Sequence, residues 1–551
     1  METEIHLKLG FKVDITLNKM SINPLGDISN YTELTKLYEL NKDKPWTEWL
    51  EYKGLFGKPG KQGIAGVLTV KNTDLTVAFK LSQQIDNLME HEYTVMKGLN
   101  DLAPWCPHFC KSIGLIPIER NPRTTTKGNP FKKQADVSYM IPDKMMIAEN
   151  IDNSYKLSTY IKNTQADEEV IYSTIKQVLL ATSMAQKKKK FTHYDLHSGN
   201  IMMRKCNRDV VFLYVLDEEN QVAVPTLGHF PIIIDFGFSY SNDMDDRPLL
   251  PSMGHTQYGY TSDRYDSNSD CRIFLTTMSD EVRDARKSSK KARTLRKIVK
   301  KAFASLPIDM DSGWFETEED EGPVSDLITE ITEKVSSKSM IFSDYENYCI
   351  DILQALIILP MECQTIHTPK KAFRSFLNQW MHIENLISNA YYNLYILKGV
   401  VEAARYVRSS YMDKDTTQAA VGKFKEMVQE TLDKVAAFCN PKDLDYEIML
   451  CSLYVFTSDM EGIWMRELKE VTEWRNEQYE KLPLKTPESF YAAIDTHIPT
   501  DYVYSEKTKI VVLDSLDERT NVFSLDEDDV KKLNDTHPFM KGSVLYEIHK
   551  S

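Results

Sequence analysis

The segment His193-Tyr194-Asp195-Leu196-His197-Ser198-Gly199-Asn200, followed by apolar Ile201-Met202-Met203, constrains this chain more than any other. It sets a carboxylate and a carboxamide five residues apart in a short loop that runs into a core strand. Downstream, Ile232-Ile233-Ile234-Asp235-Phe236-Gly237 reads as a buried strand delivering a second carboxylate, with Gly237 letting the chain turn away. Upstream, Val77-Ala78-Phe79-Lys80 is an apolar strand that carries one lysine. An Asp to accept a hydroxyl proton, an Asn and an Asp to offer oxygen to a metal ion, and a lysine for anionic oxygens are what phosphoryl transfer needs. D-F-G alone is common by chance; its place in this ordered set makes it specific.

A buried lysine needs an anionic anchor. Glu92 is preferred, because it lies one helical turn ahead of inward-facing Val95 and Met96, with Glu90 as its rival. Glycines that let backbone N–H groups approach phosphate would be Gly63 and Gly66, although Lys61 stands where a first glycine belongs, so the loop is degenerate. The run 54–80 predicts two strands joined by a tight turn at Lys71-Asn72-Thr73-Asp74, 83–99 a helix, 138–151 buried strand, and 156–161 and 168–185 helices.

The ordered set Gly63, Gly66, Lys80, Glu92, Asp195, Asn200, Asp235 and Gly237 resembles the eukaryotic protein-kinase superfamily over residues 54–275, about two-fifths of the chain. Tyr194 replaces the usual arginine of the loop, and His197 stands where Ser/Thr kinases carry a lysine. The D-L-H-x-G-N form is that of haspin and of small-molecule kinases of the aminoglycoside and choline type. The insert Lys205 to Pro231 and the segment RYDSNSDCRIFL, with no A-P-E motif, are similar to haspin-like kinases. In style the chain resembles the kinases encoded by large nucleocytoplasmic DNA viruses.

The resemblance implies an α+β, bilobal protein-kinase-like fold with a small β-rich N-lobe, a larger helical C-lobe and a long C-terminal extension. It implies ATP and Mg²⁺ as cofactors and transfer of the γ-phosphate to a protein hydroxyl, Ser/Thr rather than Tyr. Asp195 would be the base, Lys80 and Glu92 the phosphate clamp, and Asn200 and Asp235 the metal ligands. His197 would contact phosphate or acceptor, or simply fill the space of the lysine; His193 would brace the loop, and Asp270 would support it from below. Nucleotide would meet Gly63, Gly66 and Lys80, and its adenine the linker of Ala148, Glu149, Asn150 and Ile151, with Ala148 as a small gatekeeper. A small-molecule phosphotransferase and a non-catalytic kinase-fold scaffold, of the kind a virion could carry, are the competing readings.

The expected organisation is an N-terminal extension at 1–50, an N-lobe at 51–150 and a C-lobe at 151–410 with a basic-then-acidic insert around 283–322. A C-terminal extension of unassigned role would cover 411–551. Helical periodicity marks 345–359 and 373–407, where Tyr391, Tyr392 and Tyr395 would be core. The net charge of -14 excludes a surface that binds nucleic acid throughout. Arg283 to Lys301, with ten basic residues and one acid, is a solvated face or a local grip on nucleic acid or a phosphorylated partner. Lys187 to Lys190 reads as an exposed helix end. No apolar run is long enough to span a bilayer and no secretory signal is evident, so no membrane partner and an intracellular or virion setting are expected. Cys106 and Cys110, around His108, read as reduced thiols rather than zinc ligands.

Overall fold

The computed structural model describes residues 30–57, 63–82, 88–120, 129–131, 141–217, 220–244, 265–311, 313 and 476–536, with strand segments at 4–8, 12–15, 18–19, 255–256, 259–260 and 545–549. The fold is mixed α+β. Strands β1 (Glu4–Lys8), β2 (Lys12–Ile15) and β3 (Asn18–Lys19) precede helices α1 (Tyr31–Asn41) and α2 (Trp46–Trp49). A five-stranded antiparallel sheet follows, in the order β4-β5-β6-β8-β7. Its members are β4 (Leu50–Leu55), β5 (Gly63–Val70), β6 (Thr76–Ser82), β7 (Ser112–Arg120) and β8 (Ile141–Glu149), with helix α3 (Leu88–Asn100) between β6 and β7.

Alternation explains this sheet. Val77, Phe79 and Leu81 point to one face and join Leu68, Ile147 and Trp49 in a core. A strand's period of two therefore turns Ala78 and Lys80 to the other face. The turn expected at 71–74 closes with Val70 N–H donating to Leu75 O at 2.9 Å. Asn72 takes φ 63°, a left-handed conformation asparagine tolerates.

A second, larger core is built mainly from elements that follow β8. Strand β9 (Ser154–Lys156) and helix α4 (Leu157–Lys162) lead to α5 (Glu168–Lys189), which is buried along most of its length. Helix α5 is closed at both ends by its own sequence. Asp167 accepts the N–H of Glu169, and Lys190 at φ 48° stops the helix, while acids begin it and lysines end it, as the helix dipole favours. Strands β10 (Ile201–Lys205), β11 (Val210–Val215), β12 (Gln221–Pro225) and β13 (His229–Ile233) come next. Beyond the short pair β14 (His255–Thr256) and β15 (Gly259–Tyr260) lie α6 (Ser269–Ala285), α7 (Lys290–Ala302), α8 (Pro487–His497), β16 (Lys509–Asp514), β17 (Arg519–Ser524), α9 (Glu527–Thr536) and β18 (Leu545–His549).

The boundary expected at 411 lies outside the described residues, but part of the expected C-terminal extension packs with the elements before it. Strand β16 pairs in parallel with β11, from Val210↔Lys509 to Val215↔Asp514, so the C-terminal segment completes the sheet begun by the 205–231 insert. Val210–Val215 and Ile510–Leu513 are apolar, rich in β-branched residues and buried, the composition of a central strand. Lys176 on α5 donates to Asp495 Oδ1 at 2.6 Å, Ile498 O at 2.8 Å and Thr500 Oγ1 at 2.8 Å, all buried. Residues 476–536 are thus part of the same packed body as α5, not an appendage to it.

Two charge runs also change meaning. Lys187, Lys188 and Lys189 are engaged rather than merely exposed, pairing with Asp217 and Glu488, with Glu518, and with Asp101 and Asp243. The basic stretch 283–301 is no insert: it forms the end of α6 and all of α7, with Arg286 and Arg296 buried. Arg296 pairs with Asp280 and with Asp311 of the acidic stretch. The helices expected at 345–359 and 373–407, with Tyr391, Tyr392 and Tyr395, lie outside the described residues.

Candidate active site

Lys80, Glu92 and Asp235 come from three separate elements and meet. Lys80 Nζ donates to Glu92 Oε2 and to Asp235 Oδ1, each at 2.6 Å. Glu92 sits on the buried face of α3 with Met89, Val95, Met96 and Leu99, and its other oxygen accepts the Phe236 N–H at 3.1 Å. The choice between Glu92 and Glu90 is decided here: Glu90 points away and pairs with Lys144. Phe236 is fully buried, its ring 6.1 Å from Phe191 and 5.4 Å from His193. That anchor holds Asp235, which itself makes the turn expected of Gly237, at φ 69°, a conformation that costs a non-glycine residue about 1–3 kcal/mol.

The strand pair β10–β13 brings the loop to this cluster. Ile201 is opposite Ile233, and Ile234 N–H donates to Asn200 O at 3.0 Å, so Asn200 and Asp235 leave adjacent strands side by side. Asn200 Nδ2 donates to Asp195 O and Oδ2, both at 3.0 Å. Its Oδ1 and the Asp235 oxygen not used by Lys80 are hard oxygen donors. Such a pair suits a small divalent cation that keeps water or phosphate in its other positions. Among the described residues no cluster of three or more His, Cys, Asp or Glu side chains forms a self-sufficient metal cage.

The loop is held from below by Asp270 at the start of α6. Its carboxylate accepts the His193 N–H at 2.8 and 3.0 Å and the Tyr194 N–H at 3.0 Å. Tyr194, at φ 64°, is a second strained residue kept in place by these bonds. His193 braces the loop from within. Its Nε2 lies 3.1 Å from Ile234 O, which can only accept, so Nε2 carries the proton and Nδ1 accepts the Asp195 N–H at 3.3 Å.

His197 is fixed by the same logic. Its Nδ1 accepts the Gly199 N–H at 3.0 Å, leaving an Nε2–H donor 3.7 Å from Asp195 Oδ1. Gly199 is required there, because a Cβ would lie 2.6 Å from the imidazole Cε1. Burial lowers the His197 pKa to about 4, so near neutral pH it is an uncharged donor in place of the lysine. Burial, joined by the nearby Asp235 charge, pushes Asp195 up to about 7, against the hydrogen bond from Asn200. Burial also favours neutral Asp235, but the Lys80 ammonium outweighs it and holds the carboxyl below its usual range. Lys80, opposed by its own burial, is raised by Asp235 and Glu92.

The nucleotide-side residues are distributed differently from expectation. Gly63 and Gly66 lie within β5, opposite Ser82 and Phe79, rather than at a loop tip, and 58–62 fall outside the described residues. What Gly66 provides is close approach: a Cβ would stand 2.2 Å from Gly54 O and 2.6 Å from the Phe79 ring. Gly63 is similarly crowded by Leu81 O at 2.6 Å and faces Lys80. Ala148 pairs with Ala78 on the Lys80 side of the sheet. Glu149 does not aim its side chain at this face; Oε1 accepts the Lys111 N–H at 3.0 Å and its own N–H donates to Lys111 O. Ile151 follows the sheet edge, with its carbonyl accepting the Ser154 hydroxyl.

Cys106 and Cys110 are buried free thiols. His108 cannot join them in a metal site, since Nδ1 meets Pro231 O at 2.9 Å and Nε2 meets the Tyr214 hydroxyl at 2.7 Å. Sequence reasoning missed Glu281, which accepts the Ser198 hydroxyl, and Asp266, which caps α6. An Asp a few residues before an apolar helix was the available signal for the second; the first has none.

No family model matches the chain. Over 512 residues it is 27% identical to a protein of Invertebrate iridescent virus 6 named "Uncharacterized protein 098R", spanning 83% of this chain and 84% of that one. Over 492 residues it is 25% identical to "Uncharacterized protein 038R" of Invertebrate iridescent virus 3, spanning 83% of this chain and 85% of the relative. Both similarities run through most of each chain rather than through one motif.

Proposed function

We propose that this chain is an ATP- and Mg²⁺-dependent phosphotransferase of bilobal protein-kinase type, acting on Ser or Thr hydroxyls of a protein. The observation that carries the reading is Lys80 Nζ held 2.6 Å from both Glu92 and Asp235, beside an Asn200–Asp195 pair on a braced loop. Lys80 orients anionic phosphate oxygens; Asp195 accepts the acceptor hydroxyl proton; the neutral His197 donor contacts the transferring group. Asn200 Oδ1 and Asp235 would hold the magnesium ion, which when bound neutralises charge on the phosphates. Ala78 and Ala148, paired and small, would hold the adenine, with backbone groups of Glu149 and Ile151 to hydrogen-bond it. Among the described residues no helix is long and apolar enough to cross a membrane, which accords with action on a protein in the host cell interior or the virion.

The test is label transfer from γ-labelled ATP with Mg²⁺ to generic protein substrates, to the chain itself, and to sugars and amino alcohols. Wild type should label protein, and Asp195→Ala and Asp235→Asn should not. Label confined to small molecules would move the assignment to the small-molecule class suggested by Asp195-Leu196-His197. ATP binding without any transfer would leave a scaffold.

A further inference from the structure

We propose that Tyr479 is a positioning residue for the loop that carries Asp195, acting through Asp266 and Thr192, so that the C-terminal segment belongs to the catalytic machinery. The inference rests on the phosphotransferase reading for its kinetic consequence, though its geometry stands independently.

Tyr479 and Asp266 are both buried and lie 213 residues apart, and the Tyr479 hydroxyl donates to Asp266 Oδ2 at 2.9 Å. The other oxygen, Oδ1, accepts the N–H groups of Asn268 and Ser269, each at 3.0 Å, where α6 begins. The Asp266 backbone clasps Thr192 in both directions. Its N–H donates to Thr192 Oγ1 at 2.9 Å, and that hydroxyl donates to Asp266 O at 3.0 Å. Thr192 also exchanges two backbone hydrogen bonds with Tyr240, at 2.9 and 2.7 Å, just beyond the Asp235 turn. Four residues after Asp266, Asp270 grips the N–H groups of His193 and Tyr194.

Asp266 therefore fixes the start of α6 against the start of the loop, and the Tyr479 hydroxyl sets the orientation of its carboxylate. Loss of a donor weakens the hold on a buried carboxylate and frees it to rotate. That rotation slackens the cap of α6 and lets Asp270, with the loop on it, shift. Displacements near 1 Å at reacting groups lower rates by about 10²-fold. The segment itself has other anchors, including Phe490 stacked on Phe303 at 5.2 Å and the Lys176–Asp495 pair. Removing one hydroxyl should thus disturb the loop without releasing the segment.

The experiment compares wild type, Tyr479→Phe and a control, Tyr502→Phe, whose hydroxyl meets Thr508 at 3.1 Å in the same segment but away from the loop. Melting temperature, ATP affinity, kcat and KM for transfer, and amide exchange of peptides spanning 192–196 are measured on the full chain. We expect Tyr479→Phe to lower kcat about tenfold and to accelerate exchange at 193–195, with KM and ATP affinity unchanged and the melting temperature down by only a few degrees; Tyr502→Phe should change neither kcat nor exchange. Unchanged exchange or unchanged kcat in an active wild type would overturn the proposal. So would a parallel fall in kcat, ATP affinity and melting temperature, which marks a general structural role. If wild type transfers no phosphate, the phosphotransferase reading is at fault, and the exchange arm alone decides whether Tyr479 holds the loop.

Discussion

His108 offers a measurable link between burial and acid stability. It is fully buried, and both ring nitrogens are committed: Pro231 O can only accept, so Nδ1 carries the proton and Nε2 accepts from Tyr214. A second proton would place a cation in a fully buried site lined by the Phe212, Tyr214 and Phe230 rings. Burial accordingly lowers its pKa to about 4 from an ordinary 6.5. A histidine depressed in the folded state stabilises the fold above about pH 6.5, and that contribution is lost as the pH falls towards about 4. From these two values the loss amounts to about 2 kcal/mol by about pH 5 and about 3 kcal/mol by about pH 4. His108→Gln keeps a donor and an acceptor but does not titrate. Urea unfolding of both proteins, extrapolated to water at a series of pH values, should find the variant less stable near neutrality. Wild type should then lose about 2 kcal/mol more than the variant on going to about pH 5. His193, also lowered to about 4 by burial, acts in both proteins and cancels. Parallel loss in wild type and variant would refute the argument, since His108 would then titrate alike in the folded and unfolded chains.

Three further outcomes are expected. Glu92→Gln removes the charge that, with Asp235, sets Lys80, and should lower phosphate transfer about 10²-fold while leaving the melting temperature nearly unchanged. Lys176→Met leaves Asp495 buried without its cation and should destabilise by about 3–5 kcal/mol in urea unfolding, whereas Lys176→Met with Asp495→Leu should recover most of that loss. Asp270→Ala strips the acceptor from two buried N–H groups and should cost about 2–6 kcal/mol of stability together with all transfer activity; Asp270→Asn should retain part of both.

Much of the candidate site was legible because its parts are local. A strand's alternation puts Lys80 opposite Phe79 and Leu81, three isoleucines deliver Asp235, and the five-residue step from Asp195 to Asn200 survives as a direct hydrogen bond. The sequence left open what depends on something distant. The Glu149 side chain turns to the Lys111 N–H, and Gly63 and Gly66 lie within a strand whose neighbours crowd them.

The sequence by itself determined the order of the chemical groups, the strands and helices that bear them, and the exclusion of a wholly basic surface, because all of these follow from periodicity and spacing within a few turns of chain. Only the tertiary structure decided that Glu92 and not Glu90 meets Lys80, that β16 enters the sheet beside β11, and that Tyr479 reaches Asp266. The physical reason is that these contacts join residues up to 299 positions apart, from Val210 to Lys509. No local preference encodes such pairings, and they are selected only when the buried groups of the whole fold must find partners together.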